Sequence, residues 1–344
     1  MLNVTYMKII VLGGGLAALG ALEHLLAKPN RFNEIQWIFP KNAAELSCSY
    51  NSTAVLALQG IEKGVSPLGD DLFDAYFSMK EFIEANSPEG ITHCSRYHLK
   101  NSSNEDKNQK LESRFKENFK KIKENDLGFI ETIVEDAYCF SPLIFMNWWH
   151  QRIFSSSLVN FTDDLILGID GGSVHGQKSL YSADVIINAT GSFGITTGLV
   201  TEKVKTVPGH YFVWYSPQFE NQKVDNYFLK SKSIILTFEG ENLIYHSEYN
   251  SEGPCLIWGG SSESDGLMGP RIEFLETKLL EFFNTYPQFK FSGQRELFTG
   301  VRTKGPKRRP IISREGKVIT MSGLYKNGYS LGYYLGKKAL ESLN

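Results

Sequence analysis

The spacing of apolar positions predicts a strand, a glycine turn and a helix near the start of the chain. Lys8 is followed by the apolar run 9–12, residues 13–15 are three glycines, and apolar residues then recur at helical spacing over 16–27. Pro29 prevents this helix from continuing, because proline lacks the backbone N–H that the helix needs. A second apolar run over 34–39 predicts another strand, so the chain begins as a β-α-β unit.

Helical spacing next predicts an amphipathic helix over 68–86, and the segment 142–155 has the character of another helix. Between them, the polar and charged residues 101–110 indicate a solvated loop. A surface helix is expected after that loop, with one apolar face among Lys and Glu residues. That face consists of Leu111, Phe115, Phe119 and Ile122.

The central part of the chain is dominated by predicted strands. Two short strands are expected at 158–161 and 165–169, with a hairpin turn at 171–172. The continuously apolar run 183–189 is typical of a central parallel strand. Residues 203–260 then indicate an antiparallel sheet rich in aromatic and β-branched residues. Its strands are predicted at 204–214, 233–239, 242–249 and 254–259, followed by a helix over 271–286.

Composition and charge narrow the class of protein. The chain has 344 residues, 42% of them hydrophobic and 22% charged, which suits one large globular domain or two interleaved ones. A formal net charge of -2 exerts no overall attraction for nucleic acid or for a membrane surface. The apolar runs fall short of the ~18 residues needed to span a bilayer. We therefore expect a globular protein that acts away from the membrane.

Cysteine and histidine positions predict neither a disulfide framework nor a metal site. The four cysteines form no CxxC pair, which favours reduced thiols and a cytoplasmic location. They are Cys48, Cys94, Cys139 and Cys255. His93 and His98 lie close together, but no further ligands follow at a spacing that suits a metal.

The glycine turn has the spacing of a dinucleotide-binding motif. Gly13 suits the tight turn, Gly15 lets the backbone approach a pyrophosphate, and Ala18 is small enough for the helix to pack on the strand. The helix that begins with Leu16 and Ala17 presents free N–H groups and the positive end of its dipole to the phosphates. The motif allows NAD, NADP or FAD, and a purely structural glycine turn is the alternative.

The second strand lacks the acid that ordinarily follows it. In dinucleotide folds this acid binds the adenosine ribose, but here the position is Pro40, followed by Lys41. Asn42 or Glu45 would then have to take its place.

Two further segments have the composition of ligand-binding loops. The hydroxyl-rich segment 47–53 contains Ser49 and Asn51 and suits binding of phosphate or of a flavin ring edge, with a helix N-cap cluster as the alternative. The strand predicted at 183–189 runs into Thr190 and Gly191, where glycine permits close approach of a ligand.

The last part of the chain carries the pattern that points to a family. Gly300 and Arg302 form a GxR motif, Pro310 follows eight residues after the arginine, and a short strand ends in Gly323 before a glycine-bearing helix. Together with the glycine turn, Ser49 and the Ala-Thr-Gly strand end, this pattern resembles the D-amino-acid-oxidase-like FAD enzymes. The glycine and sarcosine oxidase branch is the most similar.

The resemblance implies an α/β fold, α+β overall, with a Rossmann-like FAD-binding domain and an antiparallel-sheet substrate domain. We expect the FAD-binding domain over 1–66, 137–202 and 300–344, and the substrate domain over 67–136 and 203–299. FAD would bind noncovalently, because no cysteine stands in this motif where the sarcosine branch attaches its flavin. The residues expected to bind FAD are Gly13, Gly15, Leu16, Ala17, Ala18, Lys41, Ser49, Asn51, Val159, Ala189, Thr190, Gly191, Arg302, Gly323, Lys326, Asn327, Gly328 and Tyr329.

The resemblance also implies residues that act on the substrate. The Arg302 guanidinium would bind a substrate carboxylate, since its planar fork matches two carboxylate oxygens. Lys326 would stabilise the reduced anionic flavin. Tyr245 and Tyr249 are further catalytic candidates, which strand alternation places on one face with His246 on the other, although packing is the alternative role. Tyr211 and His210 are additional candidates on this sheet.

These expectations define an enzyme hypothesis and two alternatives. The chain would oxidise an amine or amino acid by hydride transfer to flavin N5, giving an imine that water hydrolyses, with oxygen or a carrier as electron acceptor. Departures from the family pattern at Pro40, Lys307 and Ser313 favour a divergent member. One alternative is action on a glycine-like group of a large substrate such as modified RNA, which the basic residues at 304–309 would attract. The other is a noncatalytic flavin-binding protein, and the oligomeric state is left open.

Overall fold

The computed structural model describes residues 7–44, 47–101, 105–115, 120–122, 127, 132–260 and 272–343. In this part of the chain the helices are α1 (Leu16–Leu26), α2 (Lys41–Ala44), α3 (Pro67–Asn86), α4 (Glu105–Arg114), α5 (Pro142–Phe154), α6 (Gly191–Thr196), α7 (Gln222–Lys230), α8 (Ile272–Thr285) and α9 (Gly328–Glu341). The strands are β1 (Met7–Leu12), β2 (Phe32–Ile38), β3 (Val55–Ala57), β4 (Ile91–Leu99), β5 (Lys120–Ile122), β6 (Thr132–Phe140), β7 (Val159–Thr162), β8 (Ile166–Asp170), β9 (Ser173–Gly176), β10 (Leu180–Ser182), β11 (Val185–Asn188), β12 (Lys205–Phe219), β13 (Ser233–Phe238), β14 (Glu241–His246), β15 (Cys255–Gly259), β16 (Phe291–Lys304), β17 (Ile311–Glu315) and β18 (Val318–Ser322). Among these helices none has both the length and the apolar character required to cross a bilayer.

Six of the strands form a mostly parallel sheet in the order β17-β18-β11-β1-β2-β7. The pairs from β18 to β7 are parallel, and β17-β18 is an antiparallel hairpin. Residues 9–12 of β1 are fully buried, as a strand covered on both faces requires. The predicted β-α-β start and the central parallel strand are confirmed, and with them the mixed α/β fold class.

Helix α9 lies directly against α1. A Cβ atom at Gly20 would lie 2.1 Å from the Gly332 carbonyl oxygen, and one at Gly336 would lie 2.3 Å from the Gly20 carbonyl carbon. The two helices therefore touch backbone to backbone, which leaves no room for a side chain at these three positions. This contact ties the first helix of the nucleotide-binding unit to a helix far along the chain.

The larger sheet is almost entirely antiparallel. Its order is β16-β12-β15-β14-β13-β4-β6-β3, with β5 paired to β6, and only β13-β4 is parallel among the described pairs. One face packs against α7 and α8 through Phe228, Trp258 and Phe282, which are buried. A separate small sheet has the order β10-β9-β8. Both large sheets take strands from distant parts of the chain, while the domain boundaries given above stay a prediction.

The segment between β4 and β6 differs from its prediction. Residues 105–114, most of which were expected to be a loop, form α4, and the expected helix over Leu111, Phe115, Phe119 and Ile122 is wrong. Leu111 lies in α4, Phe115 follows its end, Ile122 lies in β5, and Phe119 is outside the described residues. Helix α4 has acidic residues in its first turn and Arg114 in its last, which complement the helix dipole without any apolar periodicity.

A buried histidine of the larger sheet couples stability to pH. His246 ends β14 and is 2% exposed, with its ring centroid 5.3 Å from that of Tyr249 and its Nδ1 3.4 Å from Ser233 Oγ. Burial lowers the pKa of His246 to about 4. The unfolded chain therefore binds a proton that the folded chain does not, between about pH 6.5 and pH 4.

We expect His246→Gln to flatten the acid side of the stability profile. In wild type, neutral buried His246 contributes to the free energy of unfolding above the unfolded pKa. This contribution is lost as pH falls, by about 3 kcal/mol between pH 7 and pH 4. Urea unfolding at several pH values measures the difference in slope. His175→Gln, at an exposed position on β9, serves as the control, and equal slopes in wild type and His246→Gln would contradict the assignment.

Candidate active site

The glycine turn between β1 and α1 is built for close backbone contact. Gly13 has a φ of +107°, and a Cβ atom there would lie 2.4 Å from the Ala189 carbonyl oxygen at the end of β11. Its N–H donates to the Ile38 carbonyl oxygen (3.0 Å) at the end of β2. The turn thus bridges the ends of the two strands that flank β1, and only glycine suits it.

Two buried aromatic side chains fix the carbonyl groups of this turn. Trp37 Nε1 donates to the Gly13 oxygen (2.7 Å), and His150 Nε2 lies 2.9 Å from the Gly14 oxygen. A carbonyl only accepts, so Nε2 carries the proton in this contact. Burial lowers the pKa of His150, which keeps the ring neutral. Because these two carbonyl groups are fixed by hydrogen bonds, the orientation of the peptide groups in the turn is fixed as well.

We expect Trp37→Phe to weaken binding of a dinucleotide to this turn roughly fivefold, the equivalent of one lost hydrogen bond of about 1 kcal/mol. Fluorescence titration of the apoprotein with the cofactor measures the change. The matched control is Trp149→Phe: Trp149 is equally buried, but its Nε1 donates to Glu23 Oε2 (3.0 Å) instead. An equal loss of affinity in both variants would show a packing effect and refute the role of the Trp37 hydrogen bond.

A cavity of about 560 Å³ opens at the carboxyl ends of β1, β2 and β11. This is the edge at which open α/β sheets bind ligands. The predicted site residues that line it are Gly13, Gly15, Leu16, Ala17, Ser49, Ala189, Thr190, Gly191, Arg302, Lys326, Gly328 and Tyr329. Those that lie outside its lining are Ala18, Lys41, Asn51, Val159, Tyr245, Tyr249, Gly323 and Asn327.

Ser49 joins two helix N-termini at the cavity wall. The N–H of Leu16, which opens α1, donates to Ser49 Oγ (3.2 Å). The Tyr329 hydroxyl, in the first turn of α9, donates to the Ser49 carbonyl oxygen (2.6 Å). Helix α9 begins at Gly328 directly after Asn327, so both predicted residues stand where α9 meets the cavity. Ser49 therefore links the segment 47–53 to the N-terminal turns of both helices.

Several predicted residues support the wall without lining it. Ala18 is fully buried within α1. A Cβ at Gly300 would lie 2.2 Å from the Asn51 carbonyl oxygen, so β16 passes directly over this loop. Gly323 has a φ of +78°, and its N–H donates to Thr303 Oγ1 (3.0 Å). At these positions packing and turn geometry, and no direct contact with the cavity, account for the residue type.

The position of the missing ribose acid lies at the cavity's edge. Pro40 lines the cavity, while the backbone N–H of Lys41 donates to Asp163 Oδ1 (3.0 Å). Asp163 follows β7, the strand next to β2 in which Val159 is the first residue. Its pKa is lowered chiefly by the Lys41 N–H. A carboxylate is thus present near this edge from the neighbouring strand, and Glu45 lies outside the described residues.

The arrangement of turn, cavity and closing motif matches a known family along almost the whole chain. A family model described as DAO, FAD dependent oxidoreductase, matches residues 8–341. The chain belongs to this family. It is accordingly an FAD-dependent oxidoreductase, as the resemblance implied. A search of curated proteins found no significant match.

Solved structures share this family's fold at low sequence identity. Iminodiacetate oxidase from Chelativorans sp. BNC1 superposes with a TM-score of 0.73 at 13% identity, covering 97% of this chain and 95% of that one. Glycine oxidase from Geobacillus kaustophilus gives 0.71 at 13% identity, covering 98% and 94%. L-proline dehydrogenase from P. horikoshii gives 0.71 at 16% identity, covering 98% and 93%. The likeness extends over both sheets.

FAD fits the residues that surround the cavity. The N–H groups of Gly14 and Gly15, with that of Ala17 in the first turn of α1, would hold its diphosphate, because a helix N-terminus favours negative charge. Gly191 has a φ of +60°, and a Cβ atom there would meet nothing within 4 Å, so the strand end offers open space. Ser49 and the first residues of α9, Gly328 and Tyr329, line the same cavity.

Two cationic side chains stand at one end of the cavity. Arg302, on β16, is 7% exposed, and a Cβ at Gly209 of β12 would lie 2.5 Å from its Cζ and Nη2. Its guanidinium therefore lies flat over the backbone of the neighbouring strand. Lys326 stands in the cavity, and its pKa is lowered by burial and by the charge of Arg302. Burial raises the pKa of the nearby Cys48 thiol, so this thiol is held neutral.

The two tyrosine candidates do not share a face and do not line the cavity. Tyr245 is buried on the outer face of the sheet, with its ring centroid 5.3 Å from that of Phe228 in α7. Strand β14 ends at His246, so alternation no longer applies at Tyr249, which is buried in a different cluster with Tyr211. The prediction that both tyrosines lie on one face of the strand is wrong, because it extended the strand by three residues.

Sequence reasoning missed one charged residue of the cavity lining. Arg96 of β4 lies in the cavity wall together with Gln59 and Asn242. From the sequence, the segment 93–98 was interpreted only as a source of metal ligands, so Arg96 was not identified. The described residues contain no cluster of three or more His, Cys, Asp or Glu side chains that would hold a metal.

Two of the basic residues after Arg302 interact with other side chains of the protein. Lys304 Nζ lies 5.4 Å from the centroid of the Tyr325 ring, and Arg309 Nη2 lies 3.9 Å from Asp71 Oδ2. Their attraction for RNA stays a prediction.

Proposed function

We propose that this protein oxidises an amine or amino acid at a carbon bonded to nitrogen, with the substrate carboxylate bound by Arg302. The observation that carries the proposal is the buried guanidinium of Arg302 on the cavity that the FAD motif also lines. A guanidinium keeps its charge, and its planar fork matches the two oxygens of a carboxylate with two parallel hydrogen bonds.

FAD, when bound, supplies the acceptor for the two electrons and the hydrogen that leave the substrate. The chain's own residues bind and orient the substrate. Arg302 fixes the substrate carboxylate, and the adjacent charge of Lys326 stabilises negative charge that develops in the cavity. The larger sheet, which carries Arg302, forms the wall of the cavity at this end. The product is an imine, which water hydrolyses to a carbonyl compound and an amine.

The solved neighbours support an amine as the substrate class. Those titled glycine oxidase, L-proline dehydrogenase and fructosyl amine oxygen oxidoreductase act, by these titles, on amino acids or amines. Oxidases and dehydrogenases both occur among them, so oxygen or a carrier serves as the electron acceptor. We propose noncovalent FAD, which acid precipitation tests: the yellow colour should stay in the supernatant.

The function is tested by mixing the FAD-loaded protein anaerobically with a panel of amines and amino acids. We expect at least one amino acid to bleach the flavin absorbance, and oxygen or an added carrier dye to restore it. A protein whose flavin is reduced by dithionite but by no member of the panel would overturn the proposal in favour of a noncatalytic flavoprotein.

A further inference from the structure

Arg96 is held rigidly at the cavity wall by the larger sheet. It lies on β4 and is 4% exposed. Its Nε donates to Thr237 Oγ1 (2.8 Å) on β13, and its Nη2 donates to Asn242 Oδ1 (3.1 Å) on β14. Thr237 Oγ1 also donates to the same Asn242 oxygen (2.8 Å). The guanidinium is therefore fixed across three neighbouring strands.

The third nitrogen of the Arg96 guanidinium, Nη1, has no hydrogen-bond acceptor among the described residues. Nη1 makes no hydrogen bond within the described residues and lies 3.6 Å from Glu135 Oε1. Glu135 is engaged elsewhere, because Oε1 pairs with His98 Nε2 (2.7 Å) and Oε2 accepts the Gln59 N–H (2.8 Å). A buried N–H donor without an acceptor is rare in folded proteins and marks a place for a missing partner.

The charged side chains in the described lining of the cavity are all cationic. Arg96, Arg302 and Lys326 all line it, whereas its described lining contains no Asp or Glu. Behind the lining, Glu135 forms an ion pair with Arg96, and Glu241 and Arg308 contribute opposite charges near Lys326. A monocarboxylic amino acid bound at Arg302 would leave Nη1 of Arg96 without a hydrogen-bond acceptor among the described residues.

Given the proposed function, we propose that Arg96 binds a second acidic group, so that the substrate is an amino acid with two carboxylates. Arg302 binds one carboxylate and Nη1 of Arg96 the other, at a separate part of the cavity wall. The amine to be oxidised lies between these two anchors. Arg96 is on this view a binding residue that sets specificity and takes no part in the chemical step.

Two matched substrate series test the proposal on the FAD-loaded protein. The first consists of N-(carboxyalkyl)glycines of increasing chain length, and the second of N-alkylglycines of equal length without the terminal carboxylate. We expect wild type to prefer one carboxyalkyl member over its alkyl partner by at least tenfold in the rate constant of flavin reduction divided by Kd. Arg96→Met should abolish this preference, while Arg96→Lys should restore part of it.

Ligand binding without turnover separates this proposal from the proposed function. Aliphatic dicarboxylates are titrated against monocarboxylates of equal length, and the perturbation of the flavin spectrum gives Kd. Tighter binding of a dicarboxylate that is lost in Arg96→Met supports the second anchor even if no amine is oxidised. Equal binding of both series by wild type overturns it.

The variants also need a check on the cofactor. Arg295→Met, which replaces an exposed arginine on β16, should match wild type in every assay. A selective loss of FAD from Arg96→Met and Arg96→Lys would assign Nη1 to the cofactor and overturn the proposal. The comparison of the two series in wild type decides the question if Arg96→Met fails to fold.

Discussion

Replacing Gly13 with alanine is expected to give a protein that retains almost no FAD. The added methyl group would lie 2.4 Å from the Ala189 carbonyl oxygen, and the φ of +107° is one that L-residues rarely adopt. Backbone strain of this kind costs ~1–3 kcal/mol, and relief of the clash would separate the turn from β11, so we expect FAD affinity to fall roughly 5- to 150-fold. The ratio of FAD to protein after gel filtration measures the effect.

Gly171→Ala is the matched control for this prediction. Gly171 also has a positive φ, +54°, but it lies in the β8-β9 hairpin, and a Cβ atom there would meet nothing within 4 Å. This variant should lose at most about 1 kcal/mol of stability and keep its FAD. A Gly13→Ala protein that purifies with as much FAD as Gly171→Ala would contradict the account of the turn.

Arg302→Met is expected to weaken the apparent affinity for an amino-acid substrate roughly 10- to 150-fold, since a hydrogen bond to a charged group contributes ~1.5–3 kcal/mol. FAD should stay bound, because the glycine turn and both helix N-termini are untouched. Anaerobic flavin reduction at varied substrate concentration gives the affinity and the rate constant separately.

The carboxylate itself provides the control for Arg302. An amine of the same skeleton without the carboxylate should be oxidised equally well by wild type and by Arg302→Met. Arg302→Lys should recover only part of the affinity, because an ammonium group lacks the planar fork. Unchanged affinity for the amino acid in Arg302→Met would show that another group binds the carboxylate.

The parts of the fold that sequence predicted are those specified by neighbouring residues. Strand β1, the glycine turn and α1 follow one another within a short segment, so spacing alone defines them. Helix α4 escaped prediction because it has polar residues on all sides and is stabilised by terminal charges. Tyr249 was misassigned because no local signal marks the end of β14 at His246.

The site was predictable where it is local and not where strands distant in sequence meet. The residues lining the cavity from the turn and from the GxR motif were named from sequence. Arg96 was not, because its role depends on Thr237, Asn242 and Glu135, which reach it only through strand pairing. The carboxylate of Asp163 near the ribose position likewise depends on β7 lying beside β2.

The backbone contact of Gly20 with Gly332 and Gly336 bears on how the protein matures in the cell. Helix α1 leaves the ribosome early, but the helix that packs against it is translated only after both sheets. During synthesis the nucleotide turn therefore waits, without its packing partner, for most of the chain to emerge. FAD can be captured firmly only after α9 has been translated, so cofactor loading has to follow the synthesis of both sheets.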